Sequence, residues 1–202
     1  MRLGTLFAGA ALALVVGGAA LAQTARPGPI RGTISAVDGS TLIVKTREGA
    51  TAKVELGDKT AVSAVRNIDV GEIKAGSYIG TAAMPEGAGK LSALEVLVFP
   101  PQMKGVGEGQ NPYNLKPKSS MTNGTVGKVT ATGGGPEMTV SYKGQSATLT
   151  IPPGTPVVTF AKADRSDLKP GKAVFVFGPK GADGAVAARF VTVEKDGVKP
   201  PM

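Results

Sequence analysis

An internal duplication constrains the fold of this chain more than any other feature of its sequence. Residues 69–76 read DVGEIKAG and are echoed by residues 164–171, which read DRSDLKPG, at an offset of 164 − 69 = 95. Earlier in each copy, Gly32-Thr33-Ile34 matches Gly124-Thr125-Val126 at an offset of 124 − 32 = 92. The chain is therefore predicted to contain two copies of one small module.

Each copy is rich in strand signals and poor in helix signals. Residues 51–56 alternate polar and apolar side chains with a period of two, and Asp38-Gly39 is a favoured two-residue turn. Five or six short strands with one helical turn before the fifth are typical of a small Greek-key barrel of the OB type. A four-stranded sandwich or an SH3-like barrel would give a similar pattern. The predicted fold is all-β, with two tandem OB-like barrels.

The repeated block of eight residues has a structural explanation. Asp69 and Asp164 are placed to cap a helical turn, and Glu72 and Asp167 follow three residues later, as a capping box requires. Such carboxylates could also be ligands or acid-base partners. Their recurrence with capping spacing favours the structural interpretation.

The first 22 residues carry the features of a secretory signal peptide. Arg2 gives a positive start, residues 3–21 are apolar, and Ala20-Leu21-Ala22 is a small-x-small cleavage site. A membrane anchor is the alternative, because the apolar run approaches the ~20 residues of a span. We expect cleavage after Ala22 and a periplasmic or secreted chain with no transmembrane segment. The predicted divisions are signal peptide 1–22, lead-in 23–29, first barrel 30–100, strap 101–121, second barrel 122–195 and tail 196–202.

The composition excludes the commonest catalytic and metal-binding systems. The chain has no His and no Cys, so it lacks Ser-His-Asp and Cys-His catalytic systems and the usual zinc ligands. A Ser-Lys pair is formally available through Ser119 or Ser120, and scattered methionines could hold Cu(I), but chance and core filling explain both. We therefore expect a non-enzymatic protein with no cofactor and no metal.

The charge and the aromatic residues bear on the partners. The formal net charge is +8, with basic residues dispersed among 15 acids. This is typical of a solvated surface and only weakly suggests an anionic partner. We expect an envelope protein or an anionic envelope polymer as partner, and not nucleic acid. Phe175 and Phe177 bracket Val176, so either the phenylalanines or the valines face outward; outward phenylalanines would form an apolar patch suited to a partner.

The segment between the copies, residues 101–121, has a different composition. Its Gly and Pro content excludes a long helix or a central strand, yet it carries enough apolar residues to dock. An ordered strap across the two barrels is favoured over a flexible spacer. Because a site should lie where the copies differ, the candidate ligand-binding residues are those of the strap: Glu108, Gln110, Tyr113, Asn114, Lys116 and Lys118.

The order of these motifs resembles a known family. Gly-Thr-Ile-x-x-Val, a hairpin, Thr-x-Val, Leu-Lys-x-Gly and a closing Asp-Gly-x-x-x-Ala strand, clearest in residues 168–188, resemble the DUF5666 domain. The resemblance implies an OB-like barrel of exported bacterial proteins. Some proteins of this kind are named "metal ABC transporter permease", and they often have a His where this chain has Gln110. We expect a binding or structural module of the periplasm or cell envelope, with a metal-handling or metal-stress accessory, or a binder of anionic envelope polymers, as alternatives.

Overall fold

The structure is a computed structural model and describes residues 28–200. The predicted signal peptide lies outside the described residues. Three short 3-10 turns, Val70–Glu72, Pro101–Met103 and Arg165–Asp167, accompany the strands. The all-β prediction is confirmed. The twelve strands are β1 Ile30–Asp38, β2 Thr41–Thr46, β3 Thr51–Asn67, β4 Tyr78–Gly87, β5 Lys90–Val98, β6 Gly109–Pro112, β7 Ser120–Thr130, β8 Glu137–Tyr142, β9 Gln145–Thr150, β10 Val157–Lys162, β11 Ala173–Phe177 and β12 Val186–Val193.

Ten of these strands close into two rings of five. Ring 1 consists of β1, β2, β3, β12 and β11, each hydrogen-bonded to the next, and the parallel pairing of β3 with β12 is part of its closure. Ring 2 consists of β7, β8, β9, β5 and β4 in the same arrangement, with β9 and β5 parallel. The prediction of a closed β-barrel is confirmed, and the strand order within each ring is that of a small Greek-key barrel.

Each ring combines strands from both copies of the repeat. Ring 1 takes three strands from residues 30–67 and two from residues 173–193, whereas ring 2 takes two from residues 78–98 and three from residues 120–150. This differs from the expectation of one barrel for each copy. The physical reason lies in β3, which runs straight on to Asn67 and carries the chain out of ring 1 before β4 begins.

The second half of β3 and the strand β10 link the two rings. The second half of β3 pairs antiparallel with β10, and β10 pairs in parallel with β5. In the first of these pairings Val65 lies opposite Phe160, and the two positions are equivalent in the repeat because they are 95 residues apart. An approximate two-fold axis therefore passes through this pair and relates the two copies.

Each ring has its own hydrophobic core, and both copies contribute to it. In ring 1, Leu42 and Val44 pack in one cluster with Val174 and Val191 of the second copy, and all four are fully buried. In ring 2, residues of β4 and β5 pack with residues of β7, β8 and β9 in a separate cluster. Neither core is complete within one copy, because burial of this apolar surface requires strands from both.

The repeated blocks form the predicted capping boxes. The carboxylate of Asp69 accepts a hydrogen bond from the 3-10 turn that it precedes, while Glu72 accepts one from the N–H of Asp69. The second copy repeats these reciprocal bonds. The residues that follow the turns, Ile73 and Leu168, are buried in the cores of ring 2 and ring 1 respectively. The most closely repeated segment, residues 69–76 and 164–171, thus caps a turn and contributes a side chain to a core.

The glycine of the repeated Gly-Thr motif has a steric role in both copies. A Cβ atom at Gly32 would overlap the carbonyl oxygen of Lys45, and one at Gly124 would lie 2.5 Å from the carbonyl oxygen of Ser141. The first two strands of each copy therefore approach too closely for any side chain at this point.

Candidate functional site

The strap, residues 101–121, contacts both rings. Its strand β6 pairs antiparallel with residues 120–123 of β7 in ring 2. Further along the strap, the carbonyl oxygen of Asn114 accepts a hydrogen bond of 2.8 Å from Arg47, which follows β2 of ring 1. The strap is therefore a connection between the rings as well as between the copies.

Two of the six predicted strap residues contact ring 2. Glu108 Oε1 accepts a hydrogen bond of 2.9 Å from the backbone N–H of Lys143, in the turn between β8 and β9. Gln110 Oε1 accepts one of 3.1 Å from the hydroxyl of Tyr142. Both side chains thus hold the strap against the β8–β9 hairpin.

Two other predicted residues, Tyr113 and Asn114, contact Arg31 of ring 1. The guanidinium carbon of Arg31 lies 4.4 Å from the ring centroid of Tyr113, and Arg31 Nη1 donates a hydrogen bond of 2.7 Å to Asn114 Oδ1. Burial raises the pKa of the Tyr113 hydroxyl above its ordinary value of 10.0, against an opposing effect of Arg31. Lys116 and Lys118 are exposed at the turn before β7. The six residues therefore do not form one site.

Arg31 is a residue that the sequence patterns did not single out. Its side chain is 2% exposed, and its Nε and Nη2 atoms have no hydrogen-bond partner. The guanidinium carbon also lies 5.7 Å from the ring centroid of Phe175, so aromatic contacts accompany its one bond to Asn114. The signal that could have found it is its position directly before the repeated Gly32, where the second copy has Asn123.

Three phenylalanines continue outward from Arg31 on the surface of ring 1. Val174 and Val176 of β11 point into the core and are fully buried, so Phe175 and Phe177 point outward. Phe190 of β12 stacks on both, with ring centroids 6.0 and 5.4 Å apart and interplanar angles of 17° and 19°. Phe177 is 41% exposed and Phe190 36%. We call Phe175, Phe177 and Phe190 the aromatic face.

The equivalent positions of ring 2 hold different residues in a different environment. At the offset of 95, the aromatic face corresponds to Gly80, Ala82 and Glu95. All three are buried, and Ala82 is completely so. The same repeat positions thus carry small or polar buried residues in one ring and large apolar, partly exposed residues in the other.

The strap is part of what covers this face of ring 2. The carbonyl oxygen of Val106 accepts hydrogen bonds from the Tyr78 hydroxyl at 3.0 Å and from Asn123 Nδ2 at 3.2 Å. A Cβ atom at Gly80 would lie 2.7 Å from the Asn123 side chain and 3.0 Å from the ring of Phe99. The small residue at position 80 is therefore required by the way in which this face is covered.

Two open clefts lie elsewhere in residues 28–200. One of about 600 Å³ is lined in part by Phe160, Asp164 and Lys195, and the other, of about 420 Å³, lies beside Glu108. Two of the charged side chains that line the first cleft have partners, because Asp164 caps its turn and Lys195 Nζ pairs with Asp167 at 3.0 Å. The third, Lys162, is exposed.

Ser119, one of the two serines considered for catalysis, forms hydrogen bonds with the backbone of the strap. The hydroxyl oxygen of Ser119 lies 2.9 Å from the carbonyl oxygen of Tyr113 and 2.7 Å from that of Lys116. Its hydrogen bonds with Lys116 are thus to the backbone, and Lys116 is exposed. Among residues 28–200, no group of three or more acidic, His or Cys side chains is placed to hold a metal ion.

Comparison with family models, curated proteins and solved structures finds no match for this chain. The resemblance to DUF5666 therefore stays a prediction. In the described part of the chain, no helix is both long enough and apolar enough to cross a membrane.

Proposed function

We propose that this chain is an exported, non-enzymatic binding module of the bacterial periplasm or cell envelope, and that it binds its partner through the aromatic face. The proposal combines the signal-peptide features of residues 1–22 with a surface that the ring scaffold does not use for its own packing. The resemblance to exported OB-like domains points to the same location.

The observation that carries the proposal is the contrast between equivalent positions of the two rings. Phenylalanines on an outer face lie outside the core, and contiguous apolar surface on a folded protein marks interaction sites. Phe177 and Phe190 are such residues, and their counterparts Ala82 and Glu95 show that the scaffold itself does not require an aromatic side chain there.

Binding of anionic envelope polymers is a second candidate function, because the chain carries a net positive charge. The chain has 23 Lys and Arg against 15 Asp and Glu, and a net positive surface attracts anionic polymers in a manner that salt weakens. The metal-handling alternative lacks such an observation, and Met138, which is 1% exposed, fills the ring 2 core.

Site-specific photo-crosslinking in living cells tests the proposal. A photoreactive phenylalanine analogue replaces Phe177 in one variant and Val129 in a control variant, because Val129 is similarly exposed, at 39%, on ring 2. We expect discrete crosslinked products from position 177 and none from position 129. Mass spectrometry of the periplasmic fraction should find a mature chain beginning at Gln23. Equal, diffuse labelling from both positions would contradict the binding role, and protein confined to the cytoplasm would contradict the location.

A further inference from the structure

Resting on that proposed binding role, we infer that the aromatic face docks on the surface of an anionic phospholipid bilayer. The two exposed rings, Phe177 and Phe190, are stacked at 5.4 Å and form one continuous apolar strip. Phenylalanine side chains on the apolar face of membrane-surface segments enter the boundary between headgroups and acyl chains.

The ring closure limits what can dock on this face. Strand β11 is hydrogen-bonded to β1 and β12, and β12 is hydrogen-bonded to β11 and β3. A partner therefore cannot extend the sheet beside these strands and must contact their side chains alone. Two partly exposed phenylalanines offer much less than the ~800 Å² per partner of a stable protein interface. A bilayer surface requires only a few such anchors when basic residues assist them.

Basic residues lie near the strip in two places, on β12 and in the loop between β11 and β12. Arg189 directly precedes Phe190, and Lys180 follows Phe177 by three residues; both are exposed. The acid of the Lys180 loop, Asp183, accepts a hydrogen bond of 3.1 Å from the N–H of Ala185 within its own turn. Each Lys or Arg near an anionic leaflet attracts it, which complements the apolar contact made by the phenylalanines.

The described part of the chain begins beside this face. Ile30 of β1 pairs with Val176 of β11, so Gly28 lies near the end of β11 that carries Phe177. The apolar run predicted to enter the membrane during export ends at residue 22, and the seven residues 23–29 can span at most about 25 Å. Attachment to the predicted signal would therefore keep the aromatic face close to the membrane, and docking would keep the mature chain there.

Vesicle sedimentation tests this inference with residues 23–202. The vesicles are phosphatidylcholine alone or phosphatidylcholine with 30% phosphatidylglycerol as a test composition, each in low salt and in high salt. We expect binding to the anionic vesicles in low salt, and weaker binding both to neutral vesicles and in high salt. The double variant Phe177→Ser/Phe190→Ser should lower the anionic-vesicle affinity about tenfold or more, whereas Val129→Ser should leave it unchanged.

A second variant separates loss of binding from loss of folding. Lys180→Glu/Arg189→Glu alters only exposed side chains, and it should abolish the preference for anionic vesicles while its thermal unfolding stays cooperative. Wild-type chain that fails to sediment, or a double serine variant that binds as well as wild type, overturns the inference. A dimer in sedimentation velocity that the double serine variant abolishes also overturns it, in favour of a second copy as the occupant.

The two proposals fail in distinguishable ways. Crosslinks from position 177 to a protein, together with no vesicle binding, would overturn the bilayer as the partner and leave the binding role in place. Absence of both crosslinks and vesicle binding would overturn both.

Discussion

The outer faces of the two rings occupy the same place in the repeat and have opposite properties. In ring 2 the face is built from Gly80, Ala82 and Glu95 and is buried, with the strap passing over it. In ring 1 the corresponding residues form the aromatic face, in which Phe177 and Phe190 are exposed and Phe175 is half-buried. Because the backbone framework is shared, the difference belongs to the side chains and to what covers them.

This comparison separates scaffold from function within one chain. The features that both copies keep, the capping boxes and the close-approach glycines, have steric or hydrogen-bonding explanations. The feature in which the copies differ most sharply is the aromatic face. A duplicated scaffold is free to use one copy of a surface for internal packing and the other for a partner.

The largest expected effect comes from separating the two copies, and independent folding of either copy would contradict the comparison. Since each ring needs strands from both copies, residues 28–104 and 105–200 produced separately should show no cooperative unfolding transition, and mixing them should restore it. Circular dichroism during urea titration measures this. Cooperative unfolding of either fragment alone would show that the strands pair within one copy.

Exchanging side chains between equivalent positions should produce the next largest effect. Ala82→Phe forces a ring into a fully buried position, and overpacking of this kind should lower the free energy of unfolding by about 3 kcal/mol. The reverse change at the equivalent position, Phe177→Ala, should cost less than about 1 kcal/mol because the side chain is 41% exposed. Urea denaturation compares them, and equal losses would contradict the assigned asymmetry.

Loosening the strap should have an intermediate effect. Tyr113→Ala removes the stacking on Arg31 and should lower the free energy of unfolding by about 2 kcal/mol. It should also accelerate trypsin cleavage in the strap, where the exposed Lys118 precedes Ser119. The control Val106→Ala alters a strap side chain that is 49% exposed and should cost less than about 0.5 kcal/mol. A Tyr113→Ala chain as stable as this control would show that the strap does not depend on its contact with ring 1.

The smallest expected effect on stability concerns the capping box, which both copies have. A hydrogen bond from the backbone of Asp164, and next Lys195, hold the pKa of Asp167 below its ordinary value of 3.8. The carboxylate therefore stabilises the fold at neutral pH, and this contribution is lost as the pH falls through the lowered pKa. Asp167→Asn should unfold at slightly lower temperature than wild type at pH 7. The difference should begin to shrink as the pH approaches 3.8 and should disappear only below the lowered pKa of Asp167. A difference that is constant with pH would contradict this role.

Local features of the fold could be predicted from the sequence because their causes are local. The capping boxes, for example, follow from spacing within eight residues. The exchange of strands between the copies could not be predicted in this way. Two copies of one module present equivalent strand edges, and the pairing partner depends on β3 running on to Asn67.

The candidate site was predictable only in part for a similar reason. Tyr113 and Asn114 were identified because they lie where the copies differ, but their partner Arg31 is more than 80 residues away in the sequence. Phe175 and Phe177 were noticed, yet alternation alone does not say which face of β11 is the core. Phe190 joins them only through the register of β11 with β12.

Thiol accessibility measures the opposite exposure of equivalent positions most directly. The chain has no cysteine, so Phe177→Cys and Ala82→Cys each introduce a single thiol at the same repeat position. Under native conditions the thiol at position 177 should react with a maleimide at nearly the rate of the unfolded chain. The thiol at position 82 should react at least a hundredfold more slowly, at a rate limited by opening of the structure. Equal rates at the two positions would contradict the account.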